Sequence, residues 1–119
     1  MPDDNLVLLR QWGSIRYAVR RNGKMPAKEF IESLDSQARI KLEVLFERMA
    51  EYGQIRSKQK FRHLDGKIWE FKSDQNRVLC FRHGNSWILT HGFTKKQDKT
   101  PRKEIDRAND IMDEHLERA

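Results

Sequence analysis

Apolar and polar positions along the chain change period once, dividing a helical half from a β-rich half. Residues 14–21, Ser-Ile-Arg-Tyr-Ala-Val-Arg-Arg, lean towards strand, and Asn22-Gly23 is a turn signal. Pro26 then opens a helical stretch through Phe30, Ile31 and Leu34. Asp35-Ser36 caps a second run in which Ala38, Leu42, Leu45, Met49 and Tyr52 recur at alternating steps of four and three, and Gly53 closes it. The spacing predicts a helical hairpin that buries one stripe and turns Glu43, Glu47, Arg48 and Glu51 outward. From Ile68 the period becomes two: Trp69 and Phe71 share one side, Glu70 and Lys72 the other. Arg77 to Phe81 and Ser86 to Phe93 are further β-rich runs joined by a hairpin turn at His83-Gly84-Asn85. Three or four antiparallel strands are expected in this half. Thr100 as N-cap and Pro101 at the first helical position then start a helix marked by Ile105, Ala108, Met112 and Leu116. Helices followed by strands indicate an α+β fold rather than a doubly wound parallel sheet. Residues 1–13 read as an N-terminal extension and 14–119 as one domain.

Composition narrows the class. A chain of 119 residues with 37% hydrophobic positions fits a single domain with one modest core. Cys80 is the only cysteine, so neither an internal disulfide nor a zinc site of about four ligands can be built on cysteine, and a reducing cytoplasm is the expected setting. The longest apolar stretch, Leu6 to Leu9, is far short of the ~20 residues of a membrane span, and no secretory leader pattern is present. His63, His83, His91 and His115 show no metalloprotease spacing and the six glycines form no phosphate-cradling loop, so neither metal nor cofactor is expected.

Charge changes the picture more. The net +6 is distributed as +1 over residues 1–52, +9 over 53–103 and −4 over 104–119. Cations clustered on one stretch and interleaved with aromatics favour phosphate binding, because counterion release rewards clustering on one surface. Lys72, Arg77 and Lys95-Lys96 lie on or beside adjacent β-runs, with Glu70 and His91 close in the pattern. Metal-free RNA cleavage needs a base for the 2′-hydroxyl, an acid for the 5′-oxygen and cations for the phosphorane charge. Like-charge crowding lowers a lysine's pKa and suits it to proton transfer. Glu70 reads as a general base or as an ion pair with Lys72, and alternation groups His91 with Trp87, Leu89 and Phe93 on a core face. Lys58, Lys60, Arg62 and Lys99 supply a phosphate footprint, Cys80 a small buried hydrophobe, and Trp69 and Trp87 core rather than stacking platforms.

Three stretches in this order carry a resemblance: Phe61-Arg-His-Leu-Asp-Gly-Lys-Ile-Trp-Glu-Phe-Lys72 with Asn76-Arg-Val-Leu, Leu89-Thr-His-Gly-Phe-Thr-Lys-Lys96, and Lys99-Thr-Pro-Arg-Lys-Glu-Ile105. The chain resembles the HigB branch of the RelE/ParE toxin superfamily from about residue 14 to 115. The resemblance implies a curved antiparallel sheet of 4–5 strands packed by an N-terminal helical hairpin and a C-terminal helix. It also implies a toxin that cleaves mRNA on the ribosome by 2′-hydroxyl attack and is neutralised by a helix-turn-helix antitoxin, with operator DNA contacted only through that antitoxin. Lys72 falls where RelE-like toxins place a strand-borne lysine, Arg77 matches the arginine opening the next strand, and Lys95-Lys96 the basic residue after the last strand. The chain departs from its relatives in ending with an acidic helix that carries only His115, and in holding Glu70 where some carry a second basic residue. General acid and base stay open on these residues. The alternatives are a ParE-like gyrase inhibitor, whose relatives lack the basic cluster, and a non-catalytic nucleic-acid-binding module or degenerate toxin.

Overall fold

The computed structural model describes residues 4–96 and 99–118. Its elements are β1 (Leu6–Leu9), β2 (Ser14–Tyr17), α1 (Pro26–Ser33), α2 (Ser36–Tyr52), β3 (Phe61–Asp65), β4 (Ile68–Ser73), β5 (Asn76–His83), β6 (Ser86–Thr94) and α3 (Arg102–Glu117). The strands form one six-stranded sheet in the order β1-β2-β6-β5-β4-β3. Every neighbouring pair is antiparallel except β2 and β6, which run parallel. The α+β expectation therefore holds with more strands than anticipated. Leu6–Leu9, within the stretch read as an extension, forms edge strand β1, paired to β2. Residues 1–3 of that stretch and Ala119 lie outside the described residues.

Local chemistry explains the helix ends. Asp35 accepts a hydrogen bond from the Ala38 amide at 2.9 Å, satisfying one orphan donor of α2. Gly53 terminates the same helix in the left-handed region at φ +77, where a side chain is strained. The buried stripe of α2 is Leu42, Leu45, Phe46, Met49 and Ala50. Tyr52, placed on that stripe by spacing, is instead 70% exposed, because the stripe rotates towards Phe46 and Ala50 at the helix's end. The start of α3 also differs: Pro101 is its N-cap residue and no side chain caps it. Thr100 donates its hydroxyl to Glu70 instead.

Strand alternation gives the sheet two buried faces. One packs Ile15, Phe71, Val78, Cys80, Trp87 and Leu89 against α1 and α2. The other packs Ile68, Leu79, Phe81 and Ile88 against Ala108, Ile111 and Met112 of α3. Between them a β-bulge at Thr90 breaks the β5–β6 register, with Cys80 opposite Leu89 but Leu79 opposite His91. Trp87 and Leu89 therefore face the helical hairpin, while His91 and Phe93 turn to the α3 side. The grouping of all four on one face is corrected by that extra residue. Beyond the bulge Gly92 faces α1, and a Cβ there would run into the Phe30 ring.

Gly92→Ala is accordingly expected to lower stability by about 2 kcal/mol through overpacking against Phe30, measured as a reduced urea midpoint at unchanged m-value.

Candidate functional site

Period-two alternation points Arg62 of β3, Glu70 and Lys72 of β4, and Arg77 of β5 to the α3 side of the sheet. Register then brings them together, since Arg62 pairs opposite Glu70 and Lys72 opposite Arg77. Glu70 is fully buried. Its Oε2 accepts from Arg62 Nε at 3.0 Å and its Oε1 from the Thr100 hydroxyl at 2.8 Å. Arg77 Nε lies 3.2 Å from the same Oε1, a charge contact whose angle is too poor for a hydrogen bond. The Arg77 Nη1 donates to the carbonyls of Asp74 at 2.7 Å and Asn76 at 3.0 Å, so its guanidinium is anchored on two sides. Burial pulls the Arg77 pKa down, Glu70 opposing it.

The expected Glu70–Lys72 ion pair does not form. Two residues along one strand are roughly 7 Å apart, whereas Arg62 stands directly across from Glu70 and takes the carboxylate. Lys72 is half-buried, with its Nζ 3.5 Å from the Lys58 carbonyl. Burial lowers the Lys72 pKa, and Arg62, Arg77 and Lys95 lower it further against the opposing pull of Glu70. Lys95 is buried at the end of β6, its amide donating to the Gln75 carbonyl at 2.7 Å. Lys96 is exposed beside it. Both border a cavity of about 210 Å³ closed by Pro101, Lys103 and Glu104.

His91 lies on the same face but behind this cluster. Its ring is buried, with Nε2 2.9 Å from Glu104 Oε1 and Nδ1 3.3 Å from the Thr90 hydroxyl. Burial pushes its pKa below the ordinary 6.5 although Glu104 pulls the other way. Nε2 donates to the Glu104 carboxylate, and the Thr90 hydroxyl beside Nδ1 donates to the Leu79 carbonyl at 3.1 Å. Lys58, Lys60 and Lys99 are exposed, and the Lys60 carbonyl accepts from the Lys72 amide at 2.8 Å. His115, the titratable group on the C-terminal helix noted from the sequence, accepts from the Val19 amide at 3.0 Å and faces Phe81, apart from the cluster. Thr100 and Glu104 were not among the expected site residues. Thr100 carried a signal, but its position before a proline reads as a cap.

In chemical terms Arg62 and Arg77 hold a single carboxylate, with Lys72 near enough to feel both guanidiniums and Lys95, so the cluster stays cationic while its guanidiniums are held. An anion is the natural ligand, and burial with neighbouring cations loosens the Lys72 proton. No described helix is long and apolar enough to cross a membrane. Residues 29–113 match the family model described as phage-derived protein Gp49-like (DUF891), a span running from α1 into α3 and enclosing Lys58, Arg62, Glu70, Lys72, Arg77, His91 and Lys95. No curated protein matches the chain.

Two outcomes are expected from this geometry. Glu70→Ala leaves the Arg77 charge buried without its partner and should cost about 3–5 kcal/mol in urea denaturation, while Glu70→Gln, which keeps the volume and an acceptor for Thr100, should cost less. His91 and His115 both have folded pKa values below 6.5, so the unfolded chain binds more protons as the medium acidifies. Stability should therefore fall as pH drops from about 6.5, and His91→Gln should reduce that slope in a pH series of thermal melts.

Proposed function

The chain belongs to the Gp49-like phage-derived protein family, within the RelE/HigB-type toxin superfamily of toxin–antitoxin systems, and we propose that it is a HigB-type toxin that cleaves mRNA on the ribosome. The single observation that carries this reading is the cationic cluster in which Arg62 and Arg77 hold buried Glu70 and Lys72 stands beside them.

The reaction is in-line attack by the 2′-hydroxyl oxygen on the adjacent phosphorus. A P–O2′ bond forms, the P–O5′ bond breaks, and the products are a 2′,3′-cyclic phosphate and a free 5′-hydroxyl. Arg77 and Lys95 meet the charge that develops on the phosphorane oxygens, where preorganised donors count most. Lys72 in its neutral form, favoured by the lowered pKa, takes the proton of the 2′-hydroxyl, and solvent water protonates the departing 5′-oxygen. Glu70 is a positioning residue: enclosed and engaged at both oxygens, it aims Arg62 and Arg77 rather than touching RNA. His91 holds the bulged end of β6 to Glu104 behind the site. Lys58, Lys60, Lys96 and Lys99 contact the phosphate backbone. The ribosome orients the RNA, supplying effective molarity that lets a site with few proton-transfer groups suffice.

A toxin of this family has an antitoxin partner. A small helix-turn-helix protein fits that role, covering the cationic face or blocking ribosome entry, and carrying the pair to operator DNA in the cytoplasm.

Inducible expression followed by mapping of 5′ ends on translated mRNA tests the reading. Wild type should arrest growth and cut within codons, and Lys72→Ala should reduce cutting about a hundredfold or more without loss of fold. Unchanged cutting by Lys72→Ala and Arg77→Ala would sink it. Double-strand DNA breaks with intact mRNA would point to gyrase instead.

A further inference from the structure

On the face of the sheet opposite the cationic cluster, two adjoining cavities of about 470 and 420 Å³ run along the β3 edge and share Ile55, Phe61 and Trp69 as their floor. Phe61 and Trp69 stack with ring centroids 5.1 Å apart and planes within 8°, and Trp87 meets Phe61 edge-on at 5.1 Å. Trp69 is only partly covered by the core it packs on. Trp87 is 5% exposed, and its buried indole Nε1 has no hydrogen-bond partner among the described residues. A buried indole N–H without an acceptor is uncommon in a core position. Arg56, Lys58 and Arg82 rim the groove from exposed positions, none with a carboxylate partner among the described residues. The Arg82 guanidinium is held over the Trp12 ring at 5.2 Å.

Edge strand β3 joins this groove to the cluster. Its alternation sends Phe61 and His63 to the groove side and Arg62 to Glu70 on the other, and the Lys58 backbone receives Lys72. A chain bound at Lys72 and Arg77 therefore has only to cross β3 to reach the aromatic floor, passing Lys58 and Arg62 on the way.

We propose that this groove is a second, non-catalytic RNA subsite that seats an unstacked base of single-stranded RNA against Trp69, with Arg56, Lys58 and Arg82 on the flanking phosphates. Aromatic floors with cationic rims are how single strands are held without sequence preference, since every base has a π-face. An amphipathic acidic peptide also fits cationic rims, but the continuity across β3 with the proposed cleavage cluster favours RNA. The inference rests on the reading of that cluster as an RNA site.

Free RNA without ribosomes is the probe. Titrating the protein with a single-stranded oligouridylate of about eight nucleotides should quench tryptophan fluorescence saturably, and duplex RNA of equal length should not. Trp69→Leu should weaken binding about tenfold and remove most of the quench, whereas Trp69→Phe should keep the affinity. Should Trp69→Leu misfold, Arg56→Glu and Arg82→Glu, both on the exposed rim, should each weaken binding at unchanged circular dichroism. Quenching by a wild-type protein that cuts no mRNA would retire the cleavage reading and leave the groove standing. Cutting by wild type with affinity unchanged in Trp69→Leu, Arg56→Glu and Arg82→Glu would overturn the groove. So would saturable binding of an acidic amphipathic peptide with no response to RNA.

Discussion

The rest of the structure hangs on a carboxylate that water cannot reach. An ionised side chain in that position is tolerable only when charges and donors surround it, and Glu70 has Arg62, Arg77 and the Thr100 hydroxyl. Those three come from the edge strand, the central strand and the segment leading into the last helix. One buried group thus ties together elements distant in sequence. It also restrains two guanidiniums before any ligand arrives, which reduces the ordering cost of binding an anion. Because one negative charge faces several positive ones, satisfying the carboxylate does not neutralise the surface.

Charge pairing elsewhere preserves that surplus. The acidic end of the chain would quench the basic segment if the two simply met. Instead Glu114 pairs with Arg20 at 2.8 Å and Glu117 with Arg21 at 2.8 Å, both cations belonging to the loop after β2. Glu104 is engaged by His91, and Asp106 by Arg102 one turn away on the same helix. Three of the six acidic side chains of α3 are therefore committed to contacts that anchor the helix to the rest of the fold. The β3–β4–β5 end therefore keeps its positive surplus, in keeping with a family of toxins that meet an antitoxin.

The sheet works on both sides because of one irregular position. Without the bulge at Thr90, His91 would fall on the hairpin side with Leu89, and Gly92 would not give Phe30 its close approach. With it, the end of β6 swings His91, Phe93 and Lys95 into the neighbourhood of α3 and the buried carboxylate. Bulges beside functional residues commonly re-aim side chains in this way.

Periodicity by itself determined the helical hairpin, the Asp35 and Gly53 caps, the β-rich half with its Gly84 turn, and the α+β class, because each depends on neighbours within a few residues. The concentration of positive charge and the prominence of Lys72 and Arg77 were legible for the same reason. Only tertiary structure decided who partners Glu70, since cross-strand register sets Arg62 against it and leaves Lys72 one pleat away. Tertiary structure also decided that Leu6–Leu9 joins the sheet, that Thr100 abandons its cap for a carboxylate, and that Tyr52 faces solvent. Pairing register, bulges and desolvation are properties of surfaces brought together from far along the chain, and a local pattern does not carry them.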